Sequence, residues 1–260
     1  MSLHRKPGFH RGCDLVVARA YPLITINGYP ESNYEKVQQT GTGWIGVPWR
    51  DRGRLVQVEH ASHMTITDFE SLVNLRHLHV APFLGLYYNR TSTDIVYERL
   101  DLDLLDICPL ASEAEVASVL AQMLSAITHL LSSPVDARIA SVRISMFGLV
   151  KLILDFRHKP TTDIIHRNVM QRFMVSYIEQ VAKVACPRSH VWTFDAADFL
   201  DILYAGELPP LCVRTWQLLT NRSADTGKHP FLAKSRGPAA LRGPVQLYMR
   251  KLTATYTHGS

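Results

Sequence analysis

Apolar and polar positions alternate through RLVQVEHA, Arg54 to Ala61, where Leu55, Gln57 and Glu59 step by two against Val56 and Val58. That is the period of a half-buried β-strand. LVVARAY (15–21), PLITI (22–26) and TDIVYERLD (93–101) are further short β-prone runs, and the turn-rich NGYPESN follows the second of them. TDFESLVNLRHL (67–78) changes to a helical period, with Thr67 as its cap and Glu70 three residues on, as a capping box requires. A longer helix opens at Ser112, because Val116, Leu120, Met123, Ile127 and Leu130 fall on one face. Two β-prone pieces, ASVRISM and LVKLILDF, follow it and meet around Gly148. From about Thr161 the chain reads mainly as helices, in VMQRFMVSYIEQVAKVA, FDAADFLDILYAG and LCVRTWQLLTN. Strands and helices are segregated, so an α+β fold is expected and a doubly wound parallel sheet is not.

Composition narrows this picture. The chain has 260 residues, enough for one sizeable domain or two lobes sharing a core. No apolar run approaches the roughly 20 residues that cross a bilayer, and the longest, ISMFGLVKLIL, carries Lys151. The apolar run near the N-terminus is too short for a secretory signal. Cys13, Cys108, Cys186 and Cys212 lack metal-ligand spacing, so reduced thiols in a cytoplasmic or nuclear protein are expected. No metal site and no cofactor is expected, and no G-x-S-x-G context marks a nucleophile. The net charge of +5 is concentrated at the C-terminal end, where residues 228–260 hold Lys228, Lys234, Arg236, Arg242, Arg250 and Lys251 and no acid. Such an end could steer an acidic partner or nucleic acid. Aromatic residues do not interleave with it as in single-strand stacking platforms, so nucleic acid is not the expected partner.

Seven segments, taken in order, resemble the protein kinase family. GTGWIG looks like the glycine-rich loop, with Gly41, Gly43 and Gly46 in G-x-G-x-x-G register. LVQVEH looks like the strand carrying V-A-I-K, and LRHLHVAPFLG is similar to the segment after helix C. IVYERLD resembles the hinge strand, with Tyr97 as gatekeeper and Glu98 beginning the hinge. SEAEVASVLAQMLSAITHLLSS resembles the helix before the catalytic loop, VKLILDF the strand ending in D-F-G, and HPFL the closing sequence of many kinase domains. The resemblance implies a two-lobed kinase-like fold with a small β-rich N-lobe holding one helix and a shortened, mainly helical C-lobe. It divides the chain into an N-terminal extension (1–33), an N-lobe with hinge (34–108) and a C-lobe with a basic end (109–260).

The same resemblance implies lost chemistry. The lysine that should hold the α- and β-phosphates aligns with Glu59, a charge of the wrong sign. The helix C acid falls on Asp68 by spacing or on Glu70 by identity, and neither has a cation to orient. PVDARIASVRISM, laid over the catalytic loop, puts Arg138 in place of the base and Arg143 in place of the metal-binding asparagine. Asp155 survives from D-F-G, followed by Phe156 and Arg157. IIHRNVM (164–170) mimics a catalytic loop but lies after the D-F segment and carries Asn168 where the base belongs. No A-P-E follows, and Arg222 is a candidate for the arginine that pairs with that motif. The expectation is an inactive pseudokinase that binds a partner protein, an active kinase or another enzyme, as scaffold or allosteric regulator. Two alternatives stand beside it: a metal-independent nucleotide or anion switch, with Arg138 and Arg143 supplying charge, and a divergent enzyme using the cleft for other chemistry.

Overall fold

The computed structural model describes residues 23–61, 64–89, 92–133, 138–155, 176–186, 192–204 and 229–257. The alternation in RLVQVEHA becomes strand β4 (Val56–His60) of a six-stranded sheet. The sheet also contains β1 (Leu23–Ile26), β2 (Tyr34–Gln39), β3 (Gly43–Pro48), β5 (Phe83–Tyr88) and β6 (Thr93–Glu98), in the order β1-β5-β6-β4-β3-β2. All neighbours are antiparallel except β1, which joins the edge of β5 in parallel, so the sheet is mixed. Period two divides its faces. Val56, Val58, Tyr87 and Val96 cluster on one face with Tyr34 and Trp44, and Gln57, Glu59, Ile95 and Tyr97 take the alternate positions. Ile95 and Tyr97 belong to the main core.

Helix α1 (Ile66–Val73) packs on β5, with Phe69 edge-on to Phe83 at 6.3 Å between ring centroids. Its cap differs from the sequence expectation. Thr65, not Thr67, accepts from the Asp68 N–H, and Asp68 answers through the Thr65 N–H at 3.0 Å. The overlapping stretches T-I-T-D and T-D-F-E both have box spacing, and the earlier start adds Ile66 to the packed face. Asn74 closes the helix well before Leu78.

A second, three-stranded sheet is made by β7 (Leu102–Asp103), β8 (Arg138–Ile144) and β9 (Val150–Asp155), in the order β7-β8-β9. The β8–β9 turn needs a glycine. Gly148 has φ +80°, and a Cβ there would lie 2.1 Å from the Pro238 carbonyl oxygen. The long amphipathic run forms α2 (Glu113–Ser132), capped by Ser112 in a box with Glu115. Its predicted face is its buried face: Val116, Leu120, Met123 and Ile127 are fully buried and Leu130 nearly so. Each such side chain contributes roughly 1.5–3 kcal/mol by leaving water. Buried Gln122 fastens this helix to the small sheet, accepting from the Val150 N–H at 3.0 Å.

The remaining described helices are α3 over 176–185, α4 (Phe194–Tyr204), the short α5 (Pro230–Ala233) and α6 (Pro238–Thr257). α5 and α6 pack on α2, where Leu241 and Val245 are fully buried. The N-terminus of α2 is held by Glu113, which accepts from the Thr193 N–H at 2.6 Å and from the Lys234 ammonium at 2.8 Å. The two sheets are joined through the segment after α1. The Leu152 N–H donates to the His79 carbonyl at 2.9 Å, and the Ala81 N–H to the Leu152 carbonyl at 3.0 Å. One hydrophobic core runs from Phe69 and Leu72 of α1 through Leu152 of β9 to α2, Phe199 and Phe231. The architecture is α+β, and no helix among the described residues is long and apolar enough to cross a membrane. The expected elements at 15–21 and 211–221, the IIHRNVM segment, Phe156, Arg157 and Arg222 lie outside the described residues.

Candidate functional site

The glycine hairpin lies beside the strand that carries Glu59. β2 and β3 close tightly, with the Thr40 N–H donating to the Gly43 carbonyl at 2.8 Å, which leaves Gly41 and Thr42 at the tip. Gly43 pairs with Glu59 across the β3–β4 ladder. The glycines differ in what they meet. A Cβ on Gly43 would lie 1.9 Å from the Val58 carbonyl oxygen, and one on Gly46 would meet the Trp44 ring at 2.6 Å. One on Gly41 would meet nothing within 4 Å. Packing of the strands therefore accounts for Gly43 and Gly46 without a phosphate.

Two polar chains cross from the hairpin to the far side of β4. The Thr42 hydroxyl donates to a Glu59 carboxylate oxygen at 2.9 Å, and the Tyr97 hydroxyl donates to the same oxygen at 2.8 Å. Alongside, buried Gln57 donates to the Thr40 hydroxyl at 3.1 Å and accepts from Arg99 at 2.7 Å. Both threonines flanking the tip are thus fastened to inward side chains of β4. Burial pushes the Tyr97 hydroxyl well above its ordinary value, and the Glu59 charge beside it pushes the same way. The hydroxyl stays protonated and acts as a donor.

At the end of β6, where the sequence places a hinge, Glu98 forms an ion pair with Lys151 of β9 and so ties the large sheet to the small one. Arg143 stands in the small sheet, paired in register with Asp103 on one side and Lys151 on the other. Arg138 begins the same strand, opposite Asp155 at the end of β9. The two arginines aligned with catalytic-loop positions therefore lie near opposite ends of one strand, about 15 Å apart along it. They are not gathered into one anion site. Neither helix C candidate is engaged with Glu59: the Asp68 carboxylate closes the α1 cap, and Glu70 is exposed.

Sequence reasoning singled out Glu59, Tyr97, Glu98 and Arg143, which the strands bring to one region, but missed Gln57, Arg99 and Lys151. The signal for Gln57 was available, since it shares the inward parity of Glu59 on β4. Arg99 and Lys151 carried none, because their partners come from other elements. Thiolate chemistry gains no support: burial pushes Cys108 up to about 11 and Cys186 up to about 12, so both are thiols at neutral pH. Among the described residues no group of three or more His, Cys, Asp or Glu is arranged to hold a metal ion. Comparison of the sequence with protein-family models and with curated proteins returns no match.

Proposed function

We propose that this chain is a kinase-like domain that does not transfer phosphate and works by binding another protein, as scaffold or allosteric regulator. The observation that carries the reading is the Glu59 carboxylate, clasped between the hairpin hydroxyl of Thr42 and the β6 hydroxyl of Tyr97. Phosphoryl transfer needs a cation at the strand beneath the glycine loop to compensate the phosphates. Here that strand presents an anion already satisfied by the protein's own hydroxyls, with the hairpin tip fastened over it. A triphosphate entering the same space would break both hydrogen bonds and meet like charge, an electrostatic penalty without a compensating contact. Adjacency of elements supports the fold half of the reading. The glycine hairpin, the Glu59 strand and the Tyr97 strand are consecutive neighbours in one sheet, and α1 lies between the last two of these along the chain.

The test is a phosphotransfer assay of the purified chain with magnesium and radiolabelled ATP, following autophosphorylation and ATP hydrolysis. The expected result is no label above the uncatalysed background. Turnover by the wild-type chain that disappears in Asp155→Asn would overturn the reading.

A further inference from the structure

α6 has one packed face and one bare face. Leu241 and Val245 bury the packed face against α2. The exposed positions follow two helical rows, Arg242, Gln246 and Arg250 in one and Gly243, Leu247 and Lys251 in the next. Leu247, 56% exposed, therefore has Arg250 and Lys251 as its neighbours one turn on. No acid occurs in residues 228–260, so α6 offers no i,i+4 partner to Arg242, Arg250 or Lys251. The acids nearby stand on other elements and face other donors. On α2, Glu113 takes the Lys234 ammonium and Glu115 accepts from the Ala111 N–H at 2.8 Å. In the turn after β7, Asp106 accepts from the Asp103 N–H at 3.0 Å, and Asp101 accepts from the Met146 N–H at 2.9 Å. Among the described residues no carboxylate forms an ion pair with Arg242 or Arg250. The Arg242 Nε donates to the Phe147 carbonyl at 3.4 Å, and Phe147 itself is 72% exposed.

Surfaces without a partner usually intersperse charges of both signs. A face of one sign steers and selects a partner of the other sign, and an apolar residue within it supplies the buried contact that charge alone lacks. We propose that the outer face of α6 docks an acidic amphipathic helix of a partner protein. Arg242 and Arg250 are eight residues apart, about 12 Å along the helix axis. The matching segment therefore carries carboxylates about two turns apart, with an aliphatic side chain between them to cover Leu247. A membrane surface is a poorer match, because a helix that lies on lipid needs a continuous apolar face and that of α6 is spent on the core. The proposal deepens the protein-binding reading given above and rests on it, naming the surface and the chemistry of the partner.

The experiment titrates a fluorescently labelled amphipathic helix of leucine and glutamate, its glutamates two turns apart, with the full chain and follows anisotropy at low and at physiological salt. The same peptide with lysine for glutamate, and with serine for leucine, serves as control, beside phosphatidylserine–phosphatidylcholine vesicles and duplex DNA. The leucine–glutamate peptide is expected to bind, more weakly as salt rises, and both control peptides to bind less. Arg242→Gln with Arg250→Gln is expected to weaken binding by about threefold to tenfold, the scale of two rim charges. Leu247→Ser should weaken it by about tenfold, through lost apolar contact. All three side chains are exposed, and unchanged unfolding temperatures confirm that the variants fold. Absence of binding, equal binding of the serine peptide, or unchanged affinity in both variants overturns the proposal. Tighter association with vesicles or DNA than with the peptide, lost in the same variants, overturns it too. Those failures leave protein binding through another face intact, whereas phosphotransfer that depends on Asp155 ends the reading above whatever α6 binds.

Discussion

Gly43→Ala separates a glycine kept for strand packing from one kept for phosphate. A methyl group on Gly43 would sit 1.9 Å from the Val58 carbonyl oxygen, against about 3.4 Å for ordinary contact. Strand β3 would have to retreat from β4 by about 1.5 Å at this point. The obstruction is backbone and cannot swing aside like a side-chain end. Overpacking of this kind costs about 1–3 kcal/mol. A retreat of that size also stretches the neighbouring ladder hydrogen bonds beyond bonding distance, at about 1 kcal/mol net for each one lost. The total comes to about 2–4 kcal/mol, a large share of the 5–15 kcal/mol that typically separates folded from unfolded. Gly41→Ala makes the matched control. Its Cβ meets nothing within 4 Å and no positive φ is involved. That substitution should be neutral or stabilising by up to about 1 kcal/mol, through the unfolded chain. Equilibrium urea unfolding followed by circular dichroism measures both, with the denaturant slope checked for constancy. A Gly43→Ala protein within about 0.5 kcal/mol of wild type, or a Gly41→Ala protein as destabilised as Gly43→Ala, would refute the packing argument.

Two further outcomes follow from the core and from its histidines. Leu120→Ala should lower stability by about 2–5 kcal/mol in the same urea experiment, because Leu120 is fully buried on the packed face of α2 and its removal leaves a cavity. His77 should titrate near pH 4 in an NMR pH series, since burial, with neighbouring His79 and His129, lowers it to about 4. The folded value lies below the unfolded value of about 6.5, so the unfolded chain binds the extra proton first as pH falls. His77 therefore contributes stability above about pH 6.5 that is lost between about 6.5 and 4, and His77→Gln should flatten that part of the stability profile.

Local pattern carried most of the elements. The alternation of Val56 and Val58 marked β4, and the apolar series from Val116 to Leu130 marked α2 together with its Ser112 cap. The pieces on either side of Gly148 became the β8–β9 hairpin. Where two local signals overlapped, as with Thr65 and Thr67, sequence alone could not choose between them, because packing of Ile66 decides. α6 was legible only as part of a helical remainder, since Gly243 and Pro244 interrupt its pattern while Leu241 and Val245 still bury fully. The site was legible in part. Glu59 and Tyr97 were named from separate strands, but their shared hydrogen bond depends on β4 and β6 being neighbours with this register. Arg138 and Arg143 looked like one charge source because they are five residues apart, a spacing that a strand stretches across its length. The register partners of Arg143 are instead Asp103 of β7 and Lys151 of β9, supplied by elements that sequence proximity does not indicate.

The central claim is that Glu59, fastened to Thr42 and Tyr97, closes the glycine hairpin to magnesium–nucleotide. A thermal-unfolding titration with millimolar ATP, run once with magnesium and once with EDTA, tests it most directly. The predicted result is that magnesium adds nothing: any stabilisation by ATP is at least as large in EDTA. Stabilisation that requires magnesium and is stronger than in EDTA would contradict it.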